Sequence, residues 1–181
     1  LPTSGGSATT NYQLATGTGT TTLTAGFSVN TLKMAPTAVG SVLDLGANTL
    51  TVEGGGLLFT GASTRTGNRI NNGIVTAGAG SGYKLFIHNY SSAANSAAAS
   101  AALNPGINAQ ITNNGGNAVA VVLTGTLASN NIFEITNTTN SFTGGLYLNN
   151  ATLRLGDGSE TTQAGRINGN TIDVSGYSTL L

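Results

Sequence analysis

The sequence predicts an all-β fold, a parallel β-helix, and three observations lead to that prediction. Apolar and polar residues alternate in short runs, as they do along strands that are buried on one face. Short turn signals rich in Gly and Asn separate these runs. Gly, Thr, Asn and Ser together make up half of the 181 residues, whereas charged residues account for only 7%.

Period-two alternation defines the strands in order along the chain. In each strand, apolar residues two positions apart share one face, and that face is expected to point into the protein. These inward residues are Leu43 and Leu45, Leu50 and Val52, Leu85 and Ile87, Val119, Val121 and Leu123, Phe133 and Ile135, Leu146 and Leu148, Leu153 and Leu155, and Ile172 and Val174. The intervening outward positions hold most of the charges, namely Lys33, Asp44, Glu53, Lys84, Glu134, Arg154 and Asp173. One face of the sheet should therefore be buried and the other exposed to solvent.

The turn signals favour a parallel β-helix over a sandwich or barrel. Gly and Asn accept the positive φ that tight corners need. We expect corners at 46–48, 54–56, 71–73, 113–116, 129–131, 144–145, 149–150 and 156–158. Short strands with short corners suit stacked coils of roughly 20 residues, whereas sandwiches and barrels use longer, more widely spaced strands. Thr and Asn can form hydrogen-bonded ladders between coils, but like charges stacked at about 4.8 Å would repel.

We expect one domain over 1–181, with a single interruption. Residues 91–103 are Ala-rich and have high helix propensity, and Asn104, Pro105 and Gly106 end that stretch. A short helix or a loop extruded from the β-helix is predicted there.

Composition excludes several classes of function. The net charge is zero and the six basic residues are dispersed, which argues against a nucleic-acid or anionic-membrane binder. No apolar run approaches the roughly 18 residues of a membrane helix, so we expect no membrane insertion. The absence of Cys removes disulfides and thiolate metal sites. With one His and few acids, we expect no enzymatic activity, no metal and no cofactor.

Three segments within residues 42–158 resemble a known family. They are 43–58 (LDLGANTLTVEGGGLL), 85–89 (LFIHN) and 140–156 (NSFTGGLYLNNATLRLG). The last is similar to the pattern N-x-[YF]-T-G-G-x-x-x-x-x-G-T-L-x-L-G, with Ala151 where the pattern prefers Gly. These segments resemble passenger regions of autotransporter-type proteins that carry the autotransporter-associated β-strand repeat. The resemblance implies a right-handed parallel β-helix, secreted or on the cell surface of a Gram-negative-type bacterium.

The acidic residues do not form a paired-carboxylate motif in the sequence. Polysaccharide hydrolases and lyases need clustered acids, with Ca²⁺ in the lyases. The six acids are well separated: Asp44, Glu53, Glu134, Asp157, Glu160 and Asp173. Stacking of coils could bring Glu134 near Arg154, 20 residues later, where we expect a surface ion pair worth under roughly 1 kcal/mol.

Outward aromatic residues are the candidates for contact with a partner, because rings can stack on sugars or proteins. These candidates are Tyr83, Phe86, Tyr90 and Tyr147. The Ala-rich stretch could instead cover some of them. The single His, His88, is expected to be a surface residue beside Phe86.

Three functions from different classes remain open. The first is a non-catalytic structural module of an extracellular or cell-surface protein, acting as a stiff spacer, adhesin stalk or matrix component. The second is a self-assembling fibre subunit that uses the β-helix ends or strand exchange. The third is a carbohydrate-binding or polysaccharide-degrading β-helix. The expected partners are accordingly another copy of the chain or a surface polysaccharide.

Overall fold

A computed structural model describes residues 1–15, 19–35, 41–60, 68–91, 104–126, 131–156, 166–167 and 169–181. Apart from one 3₁₀ turn at Ala79–Ser81, the regular structure in these residues is β. The strands are β1 (Asn11–Leu14), β2 (Gly19–Thr22), β3 (Phe27–Met34), β4 (Ser41–Asp44), β5 (Thr49–Phe59), β6 (Arg69–Asn71), β7 (Ile74–Ala77), β8 (Lys84–Asn89), β9 (Gly106–Ile107), β10 (Gln110–Ile111), β11 (Ala120–Gly125), β12 (Ile132–Ile135), β13 (Leu146–Asn149), β14 (Thr152–Leu155), β15 (Ile172–Ser175) and β16 (Thr179–Leu180).

The strands form two parallel sheets, and the larger sheet forks. The seven-stranded sheet has the order β16-β14-β12-β9-β6-β4-β2. The nine-stranded sheet has a long arm, β1-β3-β5-β8-β11-β13-β15, and a short arm in which β7 and β10 continue from the first half of β5. The second half of β5 pairs with β8 in the long arm. All these strand pairs are parallel, so the prediction of an all-β protein with parallel sheets is confirmed.

The chain passes through the three groups of strands in a repeating order. From β6 to β11, the described strands pass twice through the seven-stranded sheet, the short arm and the long arm. Before that, β2–β3 and β4–β5 pass twice from the seven-stranded sheet into the nine-stranded sheet. After β12 the chain crosses beside β10, where Ser141 N–H donates to the carbonyl of Ile111 at 2.9 Å, before entering β13. Each passage therefore adds one strand to the seven-stranded sheet and one to the long arm.

The apolar core lies between the two sheets. Phe59 of the long arm meets Phe133 of the seven-stranded sheet edge to face, with ring centroids 4.9 Å apart. The predicted inward residues from Leu43 to Leu155 are buried in this core. Ile172 and Val174 continue the same rows in β15, but they are partly exposed because β15 has a described neighbour on one side only.

Asn side chains tie neighbouring levels of strands together. Asn48 Nδ2 donates to the carbonyls of Leu45 and Leu23, both at 3.0 Å. Buried Asn89 and Asn131 exchange side-chain and backbone hydrogen bonds across 42 residues of sequence. Such bonds satisfy backbone groups at the corners, which would otherwise be costly to bury.

Two expectations from the sequence are wrong in detail. Residues 54–56 were expected to form a corner, but they lie inside β5, where Gly55 adopts a φ of 75° and the pairing with β3 shifts register. Glu134 and Arg154 were expected on the solvent-exposed surface, but their exposed fractions are 0% and 7%. The predicted helix or loop at 91–103 falls outside the described residues except for Ser91, which is buried.

Candidate ligand-binding face

The outer side of the long arm presents two rows of side chains that run across its strands. Strand register sets both rows, because every pair in the arm is parallel. The first row contains Asn11, Thr31, Gly56, Phe86, Val122, Tyr147 and Asp173. The second contains Gln13, Lys33, Leu58, His88, Thr124, Asn149 and Ser175.

Apolar side chains occupy the middle of this outer side on four neighbouring strands. We call Leu58, Phe86, Val122 and Tyr147 the apolar stripe. All four are partly or largely accessible, and Tyr147 is 42% exposed. Leu58, Phe86 and Val122 are only partly exposed, but all four residues lie at outward positions and do not belong to the buried core. An exposed apolar patch on a sheet is typical of a surface that binds a partner.

Two shallow open grooves flank the apolar stripe. One, of about 440 Å³, is lined on the outer side by Lys33, Leu58 and His88. The other, of about 530 Å³, is lined by Phe86 and Tyr147 among other residues. Gly56 lies between Thr31 and Phe86 in the first row and adds no side chain there. These volumes fall within the usual range for ligand sites, although both grooves are open along their length.

Two of the four predicted contact residues lie together on this face. Phe86 and Tyr147 belong to one row and are two strands apart, about 10 Å. Tyr83 instead precedes β8 with a φ of 60° and packs partly against the core. Tyr90 follows β8 and is 49% exposed, with its ring 6.5 Å from that of His88.

His88 is half-buried on this face rather than freely exposed. Its Nδ1 lies 2.6 Å from the Thr124 hydroxyl in the neighbouring strand. Burial lowers the pKa of His88 from its usual value of 6.5, because the charged imidazolium loses solvation. A largely neutral His bound to a hydroxyl can donate or accept hydrogen bonds at neutral pH.

Both lysines of the chain lie on the outer side of the long arm. Lys84 is exposed and Lys33 is partly exposed. Within the described part of the chain, neither forms an ion pair with a carboxylate. By contrast, Arg154 and Arg166 are buried, and Arg69 is bound to Glu134. Among the described basic side chains, accessible positive charge is therefore concentrated on this face.

Glu134 forms a second cluster, on the outer side of the seven-stranded sheet. Its Oε2 accepts a hydrogen bond from Arg69, and its Oε1 lies 3.4 Å from Arg154 and 2.5 Å from Asn104 Nδ2. The predicted pairing of Glu134 with Arg154 is present, but the expectation of a surface ion pair is wrong because the carboxylate is fully buried. The carboxylate is occupied by two arginines, an arrangement that suits a structural role.

The described acids do not converge on one groove. Asp44 lies on the seven-stranded sheet, Glu53 on β5 beside the short arm, and Asp173 on the long arm. Hydrogen bonds from the Asn72 side chain and the Gly46 N–H lower the pKa of Asp44. Among the described residues, no group of three or more His, Asp or Glu side chains could hold a metal ion.

A membrane-spanning helix is likewise absent from the described ranges, because no helix there has the necessary length and hydrophobicity. In comparisons with known proteins, no family model, curated protein or solved structure matches this chain. The resemblance to autotransporter passenger regions therefore depends on the three sequence segments alone.

Proposed function

We propose that this chain is a parallel β-helix that serves as a non-catalytic structural module of an extracellular or cell-surface protein. The repeated passage through seven-stranded sheet, short arm and long arm carries the proposal. Each passage stacks on the previous one through parallel pairing and buried apolar rows. In such a fold each level contacts only its neighbours, so added levels extend the molecule along one axis, as a spacer requires.

The distribution of the four described acids supports a non-catalytic role, while Asp157 and Glu160 lie outside the described residues. Glycoside hydrolysis needs two carboxyl groups within about 10 Å of each other across a bound sugar. Asp44, Glu53 and Asp173 lie on different groups of strands, and Glu134 is buried against arginines. Secretion to the surface of a Gram-negative-type bacterium rests on the family resemblance.

An activity assay tests the proposal directly. The purified chain is incubated with neutral and acidic polysaccharides, and solution viscosity and newly formed reducing ends are followed. We expect no change in either quantity above a heat-denatured control. Catalytic depolymerisation that is lost on denaturation would overturn the non-catalytic role.

Self-assembly is a second candidate because β15 and β16 leave apolar residues accessible. Val174, Leu180 and Leu181 are 49%, 39% and 49% exposed. Both strands have a described neighbour on one side only, so their other edges can pair with an added strand. We propose that a second copy of the chain docks there, in a fibre or an oligomer.

Electron microscopy of the chain at high concentration tests this second candidate. Ordered fibres or oligomers are expected, and Val174→Lys should suppress them by placing a charge at the docking edge. Thr51→Lys, on the outer side of β5, is the matched control and should leave assembly unchanged. Dispersed monomers of the unmodified chain would count against self-assembly.

A further inference from the structure

We propose that the outer side of the long arm binds an extended acidic polysaccharide. The sugar rings would stack on the apolar stripe, and the carboxylates would pair with Lys33 and Lys84. This inference does not depend on the structural role, because a spacer and a fibre subunit could each carry such a face. It assigns a ligand class to the two grooves.

The first argument is the chemistry of the apolar stripe. Phe86 and Tyr147 lie about 10 Å apart on strands separated by β11, and Val122 stands between them. Pyranose rings have apolar C–H faces that pack against aromatic rings, while their hydroxyl groups remain free to form hydrogen bonds. A row of rings and apolar side chains across several strands suits an extended polymer better than a compact ligand.

The second argument is the set of polar groups that border the apolar stripe. Amide and hydroxyl side chains flank it in both rows. They include Asn11, Gln13, Thr31, Thr124, Asn149 and Ser175. Some of them are bonded within the protein: Thr31 donates to Asn11, and Ser175 donates to the carbonyl of Leu148. Their remaining donor and acceptor capacity suits recognition of sugar hydroxyls. Neutral His88 adds a group of the same kind.

The third argument is charge complementarity. Lys33 and Lys84 lie on either side of Leu58 and Phe86 and have no described carboxylate partner. Among the described acids, Asp44 lies on the seven-stranded sheet and Glu53 on β5 beside the short arm. Asp173 lies on this face, next to Tyr147 in the first row, and lines the same groove as Lys84. An anionic ligand would therefore meet favourable charge at Lys33 and Lys84 and unfavourable charge only at the Asp173 end of the described face. Two lysines are too few for nucleic acid, which relies on many phosphate contacts.

The experiment uses two forms of one polymer that differ in charge. Oligogalacturonate carries a carboxylate on each sugar, and its methyl ester has the same backbone without charge. Binding of each to the full chain is measured by calorimetry at low and at high salt. We expect the acidic form to bind at least tenfold more tightly than the ester at low salt, with this advantage lost at 0.5 M salt, as estimated from screening.

Substitutions assign the binding to this face. Lys33→Gln and Lys84→Gln should each weaken binding of the acidic form by about threefold and leave the ester unaffected. Phe86→Leu and Tyr147→Leu keep apolar bulk but remove the ring, and each should weaken both forms by about fivefold or more. Tyr177→Leu is the matched control, because this 84% exposed ring lies outside the apolar stripe. Thermal melting of each variant verifies folding.

Three results would overturn the proposal. They are equal affinity for the ester and the acid, absence of binding to either, and unchanged affinity in all four variants of this face. Single-stranded DNA serves as a polyanion of a different class. If it binds as tightly as oligogalacturonate and responds to the same substitutions, the face recognises negative charge in general rather than an acidic polysaccharide.

Discussion

Two rows of outward-pointing side chains are built in the same way but differ in environment. The row on the seven-stranded sheet contains a buried ion pair, and the row on the long arm borders an open groove. On the seven-stranded sheet, Arg69, Gly106, Glu134 and Arg154 lie in register on neighbouring strands. On the long arm, Thr31, Gly56, Phe86 and Val122 do the same. Each row contains one glycine, which leaves a gap in the line of side chains.

The gap is filled in one row and open in the other. Glu134 extends past Gly106 to reach Arg69, two strands away, so the charges are paired and buried. Beside Gly56 no ion pair forms among the described residues, and the groove there remains open. Outward residues of a parallel sheet can thus stabilise the fold or remain available for binding, depending on what their neighbours in the row supply.

Among the tests of this comparison, Glu134→Gln has the largest expected effect on stability. The substitution keeps the shape of the side chain but removes the buried carboxylate that Arg69 and Arg154 share. Removing one partner of a buried ion pair costs about 3 kcal/mol or more in the free energy of unfolding. Chemical denaturation measures this loss. On the long arm, exposed Asp173→Asn is the control and should change stability by less than about 0.5 kcal/mol.

Gly106→Ala tests the filled gap itself. A Cβ at this position would lie 2.5 Å from the backbone oxygen of Glu134 and 3.1 Å from its Cβ, so the strands would have to move apart. We expect a loss of about 2 kcal/mol in the free energy of unfolding. Gly116→Ala, where nothing lies within 4 Å of the added Cβ, provides the comparison. Equal effects of the two substitutions would contradict the close packing around Gly106.

The sequence predicts which residues of these strands face inward. It does not predict whether an outward residue is buried or accessible. Burial of Leu85 and Ile87 follows from alternation, a local property of a strand. The environment of Glu134 depends on which residues stack beside it. That partnership spans 20 residues to Arg154, on the adjacent strand, but 65 to Arg69, which lies two strands away beyond Gly106. No fixed repeat in the sequence marks such contacts.

The same limit applies to the candidate face. Phe86 and Tyr147 could be selected because they are aromatic residues at outward positions. Lys33 and Leu58 join them only through register, which brings Lys33, Leu58 and His88 into one row. Residues 54–56 also show how tertiary context overrides a turn signal. Gly54 packs against Asn30 of β3, and a Cβ added to Gly54 would lie 2.8 Å from the backbone carbonyl oxygen of Asn30. The chain continues through these glycines as strand β5.

His88, in the second row of the long arm, provides a smaller test. Its pKa is lowered in the folded protein by burial, so the unfolded chain binds the proton more readily. The stabilising contribution is present above pH 6.5 and is lost as pH falls from there towards the folded-state pKa. We expect a decrease well under 1 kcal/mol, because the ring is half-exposed. Denaturation at pH 7.5 and at pH 5, with His88→Gln as the reference, measures it. A chain that becomes more stable at pH 5 because of His88 would contradict this sign.

Asp44 provides the smallest effect, on an exposed part of the seven-stranded sheet. Hydrogen bonds from Asn72 and the Gly46 N–H lower the pKa of this carboxyl, so they favour its ionised form in the folded state. Their contribution is present above the usual pKa of 3.8 and is lost as pH falls through the lower folded value. Because the group is exposed, we expect only a few tenths of a kcal/mol. Asp44→Asn should remove this part of the acid sensitivity, and Asn72→Ala should remove most of it while keeping the carboxyl. If Asn72→Ala left the acid sensitivity unchanged, the hydrogen bond between the two levels would not be what holds the carboxylate in its charged form.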